Sequence, residues 1–278
     1  MTAAVLAAVL VAALLHASWN AIAHALPDRL LGFALIGLGG MAAALPFLFV
    51  VGPPPREAWP LLTASVLTHL LYMGLLMLSY RTGDFGQAYP LARGTAPWVV
   101  AVISAVLGHS MPLNQWLGVL VVSAGLMSLV FAGGRPNRRS LPALLAAFAT
   151  GLVIAAYTVI DAYGVRLTGD PLGYITWVML AQGPVIFLYA LATRRRRLFG
   201  LLKPVWRAGL LGGAVSACAY GLVLWAQLTG AVAGIAALRE TSIVFAAVIG
   251  AVFLRERLGA VRIAASAVVV AGVLLLAL

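Results

Sequence analysis

Apolar runs of about twenty residues recur along the whole chain, at 3–25, 30–51, 58–80, 85–107, 112–132, 141–164, 171–192, 205–228, 231–254 and 258–278. Each is close to the ~20 residues that a helix needs to cross the hydrocarbon of a bilayer at about 1.5 Å per residue. A membrane β-barrel would instead show alternating segments of about ten residues, and no run alternates in that way. Of the 278 residues 63% are hydrophobic and 9% charged, a balance foreign to ordinary soluble domains. The pattern predicts an all-α integral membrane protein with ten transmembrane helices. The first run has no basic lead and no clear cleavage site, so residues 1–25 are expected to stay as the first span.

The net charge of +11 could suggest nucleic acid, but the basic residues stand in short loops between spans, so no nucleic-acid partner is implied. Fourteen of the 18 lie in the odd-numbered loops: Arg29, Arg81, Arg135, Arg138, Arg139, Arg194 to Arg197, Lys203, Arg207, Arg255, Arg257 and Arg262. The even loops hold only Arg56 and Arg166, while Arg93 and Arg239 fall inside spans. By the positive-inside rule the odd loops face the cytoplasm, which places both termini on the non-cytoplasmic side of a plasma (inner) membrane. The lone Cys218 excludes a disulfide framework within one chain and reads as a small core residue.

The sequence also repeats. "LARGTAPWVVAVISAVL" (91–107) aligns with "ALRETSIVFAAVIGAVF" (237–253) at an offset of 146, pairing Arg93 with Arg239 and Thr95 with Thr241. Matching alanines and valines mean little in membrane sequence, but an arginine at matching depth is costly and therefore informative. With the offset moved by one, "VVSAGLMSLV" continues against "VVVAGVLLLA". The chain thus divides into a first five-helix repeat at 1–134, a polar basic linker at 135–140 and a second repeat at 141–278. Five is odd, so the second half enters the membrane from the opposite side. An inverted-topology repeat is common among secondary transporters, whose substrate site lies near the midplane between the halves.

Several motifs resemble a known family. "HASWN" in span one, "YPLARGTAP" in span four, "AAYTVIDAYGVR" in span six and "AALRETSIVFAAVIGAVFLRERL" in span nine are similar to the EamA family of the drug/metabolite transporter superfamily. The resemblance implies a ten-helix carrier that moves small organic metabolites, usually outward, without ATP, and it implies no particular substrate. It also implies cytoplasmic termini as the common arrangement, against which the arginine distribution argues.

Charged and polar side chains inside spans normally face a bundle interior. His16 and Asn20 stack on one face of span one with Trp19 nearby, as a cavity wall or as an interhelical contact. His69 and Tyr72 lie one turn apart in span three, and Tyr157 and Asp161 one turn apart in span six, with the acid close enough to a span end to reach the interface. In span four Tyr89, Arg93 and Pro97 share a face. Pro90 removes a backbone donor, so a kinked or locally opened helix is expected there. Arg93 suits a carboxylate or phosphate, or else an internal ion pair with Asp161 or Glu240. Arg239 and Glu240 are adjacent and leave a helix about 100° apart, so one should face the cavity and the other a neighbouring helix. Together His16, Trp19, Asn20, His69, Tyr72, Tyr89, Arg93, Tyr157 and Arg239 are the candidates for substrate binding or gating, and Glu240 and Asp161 for proton coupling. Glu256 reads as a membrane-edge residue. "GLGG" at 37–40 reads as close helix packing, and Arg194 to Arg197 as an anchor to anionic headgroups.

No metal-ligand spacing, nucleotide loop or catalytic constellation is present, so neither cofactor nor metal is expected. The reading is a secondary transporter of a small organic metabolite, with the bilayer and the substrate as partners and a homodimer left open. The alternative is a membrane-embedded enzyme acting on a lipid-linked or small polar substrate, with His16 or His69 as base.

Overall fold

A computed structural model describes residues 1–277 except 27, 83, 84, 110, 132–139, 196 and 254–258. Most of the 135–140 linker, the basic residues Arg135, Arg138, Arg139, Arg196, Arg255 and Arg257, and Glu256 therefore lie outside the described residues. Those described fold into helices and their connections. The long helices are α1 (Ala3–Ala25), α2 (Arg29–Ala44), α3 (Trp59–Thr82), α4 (Phe85–Val106), α5 (Leu113–Ser128), α6 (Leu141–Thr168) and α7 (Pro171–Arg194). A short α8 (Arg197–Leu202) follows, then α9 (Trp206–Gln227), α10 (Val232–Arg239), α11 (Ser242–Phe253) and α12 (Ala260–Ala277).

Local chemistry sets the ends. Thr2 accepts from the Val5 amide, Asp28 from those of Leu30 and Leu31, and Asp170 from that of Gly173, each satisfying amides that the first helical turn leaves open. Pro171 at the first position of α7 lacks only a donor that would be orphaned there anyway. Gly169 closes α6 at φ 63°, a left-handed conformation that costs glycine nothing. Past α2 the chain tightens into a 3-10 turn over Leu45–Phe49, where Pro46 cannot donate.

Among the described residues eight helical segments are long and apolar enough to cross a membrane: Ala3–Ala23, Arg29–Phe49, Arg56–Ser79, Leu113–Phe131, Leu141–Thr168, Pro171–Arg194, Trp206–Gln227 and Val232–Val252. The protein is a multi-pass membrane protein. The two remaining runs behave differently: α4 is long but diluted by Gln87, Tyr89, Arg93 and two prolines, and Ala260–Leu276 is apolar but shorter.

Helix packing is concentrated in a few pairs. α3 lies along α6 and α9 along α1; α4 packs on α6, and α10 and α11 pack on α1; α2 packs on α7 and α9, and α5 on α12. Where α2 meets α7, Gly37 and Gly183 face each other so closely that a Cβ on either would come within 2.6 or 2.7 Å of the other's carbonyl oxygen. Gly39 and Gly40 likewise lie against Leu210 of α9 and Met179 of α7, which accounts for the glycines of "GLGG". Cys218 departs from expectation. It is exposed on α9 rather than packed in the core.

Loop charges are partly used by the structure itself. Arg194 pairs with Asp28 at 2.8 Å, joining the end of α7 to the start of α2. Arg166 donates to the carbonyls of Gln227 and Gly230 at 2.8 and 2.7 Å, closing the end of α9. One of the two even-loop arginines is therefore a helix-end fastener.

Candidate functional site

Most of the buried polar residues stand on α3, α4, α6 and at the junction of α10 and α11. Their centre is an ion pair: Arg93 Nε of α4 lies 2.8 Å from Glu240 Oε2, with both side chains almost wholly buried. Arg93 Nη2 also donates to Ser242 Oγ at 3.3 Å. A charge-assisted bond of this kind is short and strong where water is excluded, although removing two ions from water offsets much of its attraction. Of the two acids open to Arg93 on sequence grounds, Glu240 is the partner.

Glu240 reaches Arg93 because the ninth apolar run is not one helix. α10 ends at Arg239 and α11 starts at Ser242. Between them the backbone tightens: the amides of Glu240 and Thr241 donate to Ala237 and Leu238, and those of Ile243 and Val244 to Glu240 and Thr241. The Thr241 hydroxyl donates to the Leu238 carbonyl at 2.8 Å. Tight turns of this kind inside a helical run commonly mark hinges. Span four, expected to be kinked or locally opened at Pro90, runs as one helix from Phe85 to Val106 with Pro90 and Pro97 inside it, while the tightened turn stands in span nine, which has no proline.

The first of the arginines is therefore paired, and the second is not. Arg239 is 6% exposed, and its Nε has no hydrogen-bond partner. Its charge lies within electrostatic reach of His16, His69, Tyr72, Tyr89 and Glu240, and that of Arg93 reaches His16, Tyr72 and Tyr89 as well. The two arginines matched by the repeat thus share one buried centre.

An aromatic wall runs away from it. His69 of α3 stacks on Tyr157 of α6 with ring centres 4.1 Å apart, and Tyr72 meets Tyr157 edge-on at 5.8 Å. His69 Nδ1 bonds the Ser65 carbonyl at 2.9 Å, and the ring also meets Tyr220 of α9 edge-on. Behind this wall sits Asp161, 1% exposed. The Tyr174 hydroxyl donates to one of its oxygens at 3.0 Å and the Tyr220 hydroxyl to the other. Asp161 thus does not reach the interface. It is a buried carboxylate held by two tyrosines, neither of which was singled out from sequence. The available signal was that a buried acid needs donors, and α7 and α9 offer these hydroxyls.

In α1 the residues satisfy one another. Trp19 Nε1 donates to His16 Nδ1 at 3.3 Å, and Asn20 Nδ2 to the His16 carbonyl at 2.8 Å. His16 is half-buried and within electrostatic reach of both arginines. No group of three or more His, Cys, Asp and Glu with metal-site geometry occurs among the described residues.

Residues 141–278 match the model of the EamA-like transporter family. No curated protein matches the sequence. Twenty-eight chains of solved structures match it. One of them, a crystal structure, covers 99% of this chain and 96% of its own at a TM-score of 0.75 and 19% identity, a likeness of fold alone.

Proposed function

The chain belongs to the EamA-like transporter family, within the drug/metabolite transporter superfamily, and on that premise we propose that it is a secondary carrier exporting a small organic metabolite by alternating access. The observation that carries this reading is that Arg93 and Arg239, 146 residues apart, are both buried and lie within electrostatic reach of the same His16, Tyr72, Tyr89 and Glu240. A charge in the hydrocarbon costs about 2.5–3.5 kcal/mol on insertion scales, so two at matching depth call for a use. The family is one of transporters, which does not favour the enzyme alternative.

We read the chain as ten spans in two inverted halves, with span nine made of α10 and α11. Two observations support this. Gly37 and Gly183 are separated by the same 146 residues as the arginines and touch each other, as equivalent residues on a two-fold axis would. Exchanging each span with the one five places away also turns the α3–α6 pair into α9–α1 and the α4–α6 pair into span nine on α1. The arginine distribution supports cytoplasmic odd loops in a plasma membrane, with both termini outside.

In this reading His16, Trp19, Asn20, His69, Tyr72, Tyr89, Tyr157 and Arg239 line the path. The Arg93–Glu240 pair ties α4 of one half to span nine of the other. Protonation of Glu240 removes the attraction and frees the halves to rock about the break at Thr241, which couples movement to protons. Asp161, fixed by Tyr174 and Tyr220, holds α6, α7 and α9 together instead.

The test is reconstitution. Purified protein in liposomes loaded with a mixed extract of small metabolites, with no nucleotide present and a pH gradient imposed, should release at least one metabolite selectively. The Arg93→Ala variant should release almost none. Release no different from empty liposomes would overturn the reading.

A further inference from the structure

We propose that Arg239, and not Arg93, grips the carried molecule, and that this molecule is an organic oxyanion with an apolar or aromatic body. The inference rests on the carrier reading above and gives that site its substrate class.

Arg93 spends its Nε on Glu240 and its Nη2 on Ser242. Glu240 is thereby committed, and Asp161 has both oxygens occupied by the Tyr174 and Tyr220 hydroxyls. His16 accepts from Trp19, and His69 bonds the Ser65 carbonyl. Arg239 forms no ion pair among the described residues, and its Nε is the one atom of a charged group among their buried side-chain atoms lacking a hydrogen-bond partner; the others belong to Ser123, Thr176, Gln182 and Gln227. The closing carbonyls of α10 supply partial negative charge at its C-terminus, where Arg239 stands, but they do not replace a counter-ion. An isolated buried charge is strongly disfavoured, so the position suits a group that arrives from outside.

Guanidinium geometry narrows the arriving group. Nε and the adjacent Nη form a planar fork that matches the two oxygens of a carboxylate or phosphate. The neighbours narrow the rest: the charge of Arg239 reaches Tyr72, Tyr89 and His69, and His69 and Tyr72 both meet Tyr157, a group of rings suited to an apolar or aromatic body.

Thermal unfolding of the full chain in detergent tests this without requiring transport. The probes are benzoate and phenyl phosphate for the two oxyanion chemistries, with benzyl alcohol and benzylammonium as neutral and cationic controls. At least one anion should raise the unfolding temperature saturably, and neither control should. Whichever anion acts identifies the preferred head group. In Arg239→Met the anion shift should vanish, while the unliganded unfolding temperature stays at or above that of the unaltered protein, because an uncompensated charge has gone. Arg239→Lys should weaken anion binding at least tenfold. Arg93→Met should lower the unliganded temperature by orphaning Glu240. The inference is overturned if neither anion stabilises the unaltered protein, if Arg239→Met responds as fully as the unaltered protein, or if Arg239→Met is as unstable as Arg93→Met. The two readings fail separately: anion binding lost with Arg239 but no movement in liposomes sinks the carrier, whereas metabolite release that survives Arg239→Met sinks this inference alone.

Discussion

Spans four and nine carry an arginine and a threonine at matching places in the sequence, 146 residues apart, yet they solve the membrane differently. Span four contains two prolines and remains one helix; span nine contains none and is broken. The difference lies at one position. Gly94 follows Arg93 and lets α4 approach α5, where a Cβ would come within 2.7 Å of Met127 Cγ. Glu240 follows Arg239, is buried, and at the helix end turns across to Arg93. In this bundle the interruption of span nine coincides with a buried ion pair, while the two prolines of span four stand inside a continuous helix.

The comparison can be broken most readily at Glu240. Glu240→Ala leaves Arg93 buried without its counter-ion and should cost about 3–5 kcal/mol in unfolding stability, measured in detergent by denaturant titration. Adding Arg93→Met should restore most of the loss, and a double variant no better than the single would contradict the pairing. A second comparison sets this acid against Asp161, which relies on hydroxyls. Tyr220→Phe should cost about 1–3 kcal/mol by the same measurement, less than the loss of Glu240, because it removes one of the two donors to the buried Asp161 side chain. Gly94→Ala should cost about 1–3 kcal/mol through crowding against Met127. The smallest effects separate the threonines. Thr241→Val should cost ~1 kcal/mol at the break, where the hydroxyl supports the tightened Leu238 carbonyl. Thr95→Val should cost less, because Thr95 bonds the Leu91 carbonyl within an unbroken helix. Equal effects at the two positions would argue against the break as a special site.

Much of this was legible in the sequence because bilayer thickness imposes a length that hydropathy reveals directly. The helices, the internal offset of 146 and the matched arginines all follow from reading runs and repeats. What stayed hidden depends on distances between elements. A helix break without proline leaves no one-letter mark, and the choice of Glu240 over Asp161 as the partner of Arg93 is decided by which neighbour is near. The tyrosines that hold Asp161 stand on α7 and α9, 13 and 59 residues away, and only packing brings them to it. Cys218 was misplaced for a related reason: in a membrane protein an apolar run covers both the lipid face and the core, so composition alone does not tell which way a small residue points.

The central claim, a site between two halves that opens to each side in turn, can be tested without knowing the substrate. Tyr72→Cys in a Cys218→Ser background places one thiol in the polar centre. It should react with a membrane-impermeant maleimide both in right-side-out and in inside-out vesicles, while an impermeant dye stays enclosed. Reaction from one face only, or from neither, would contradict the account.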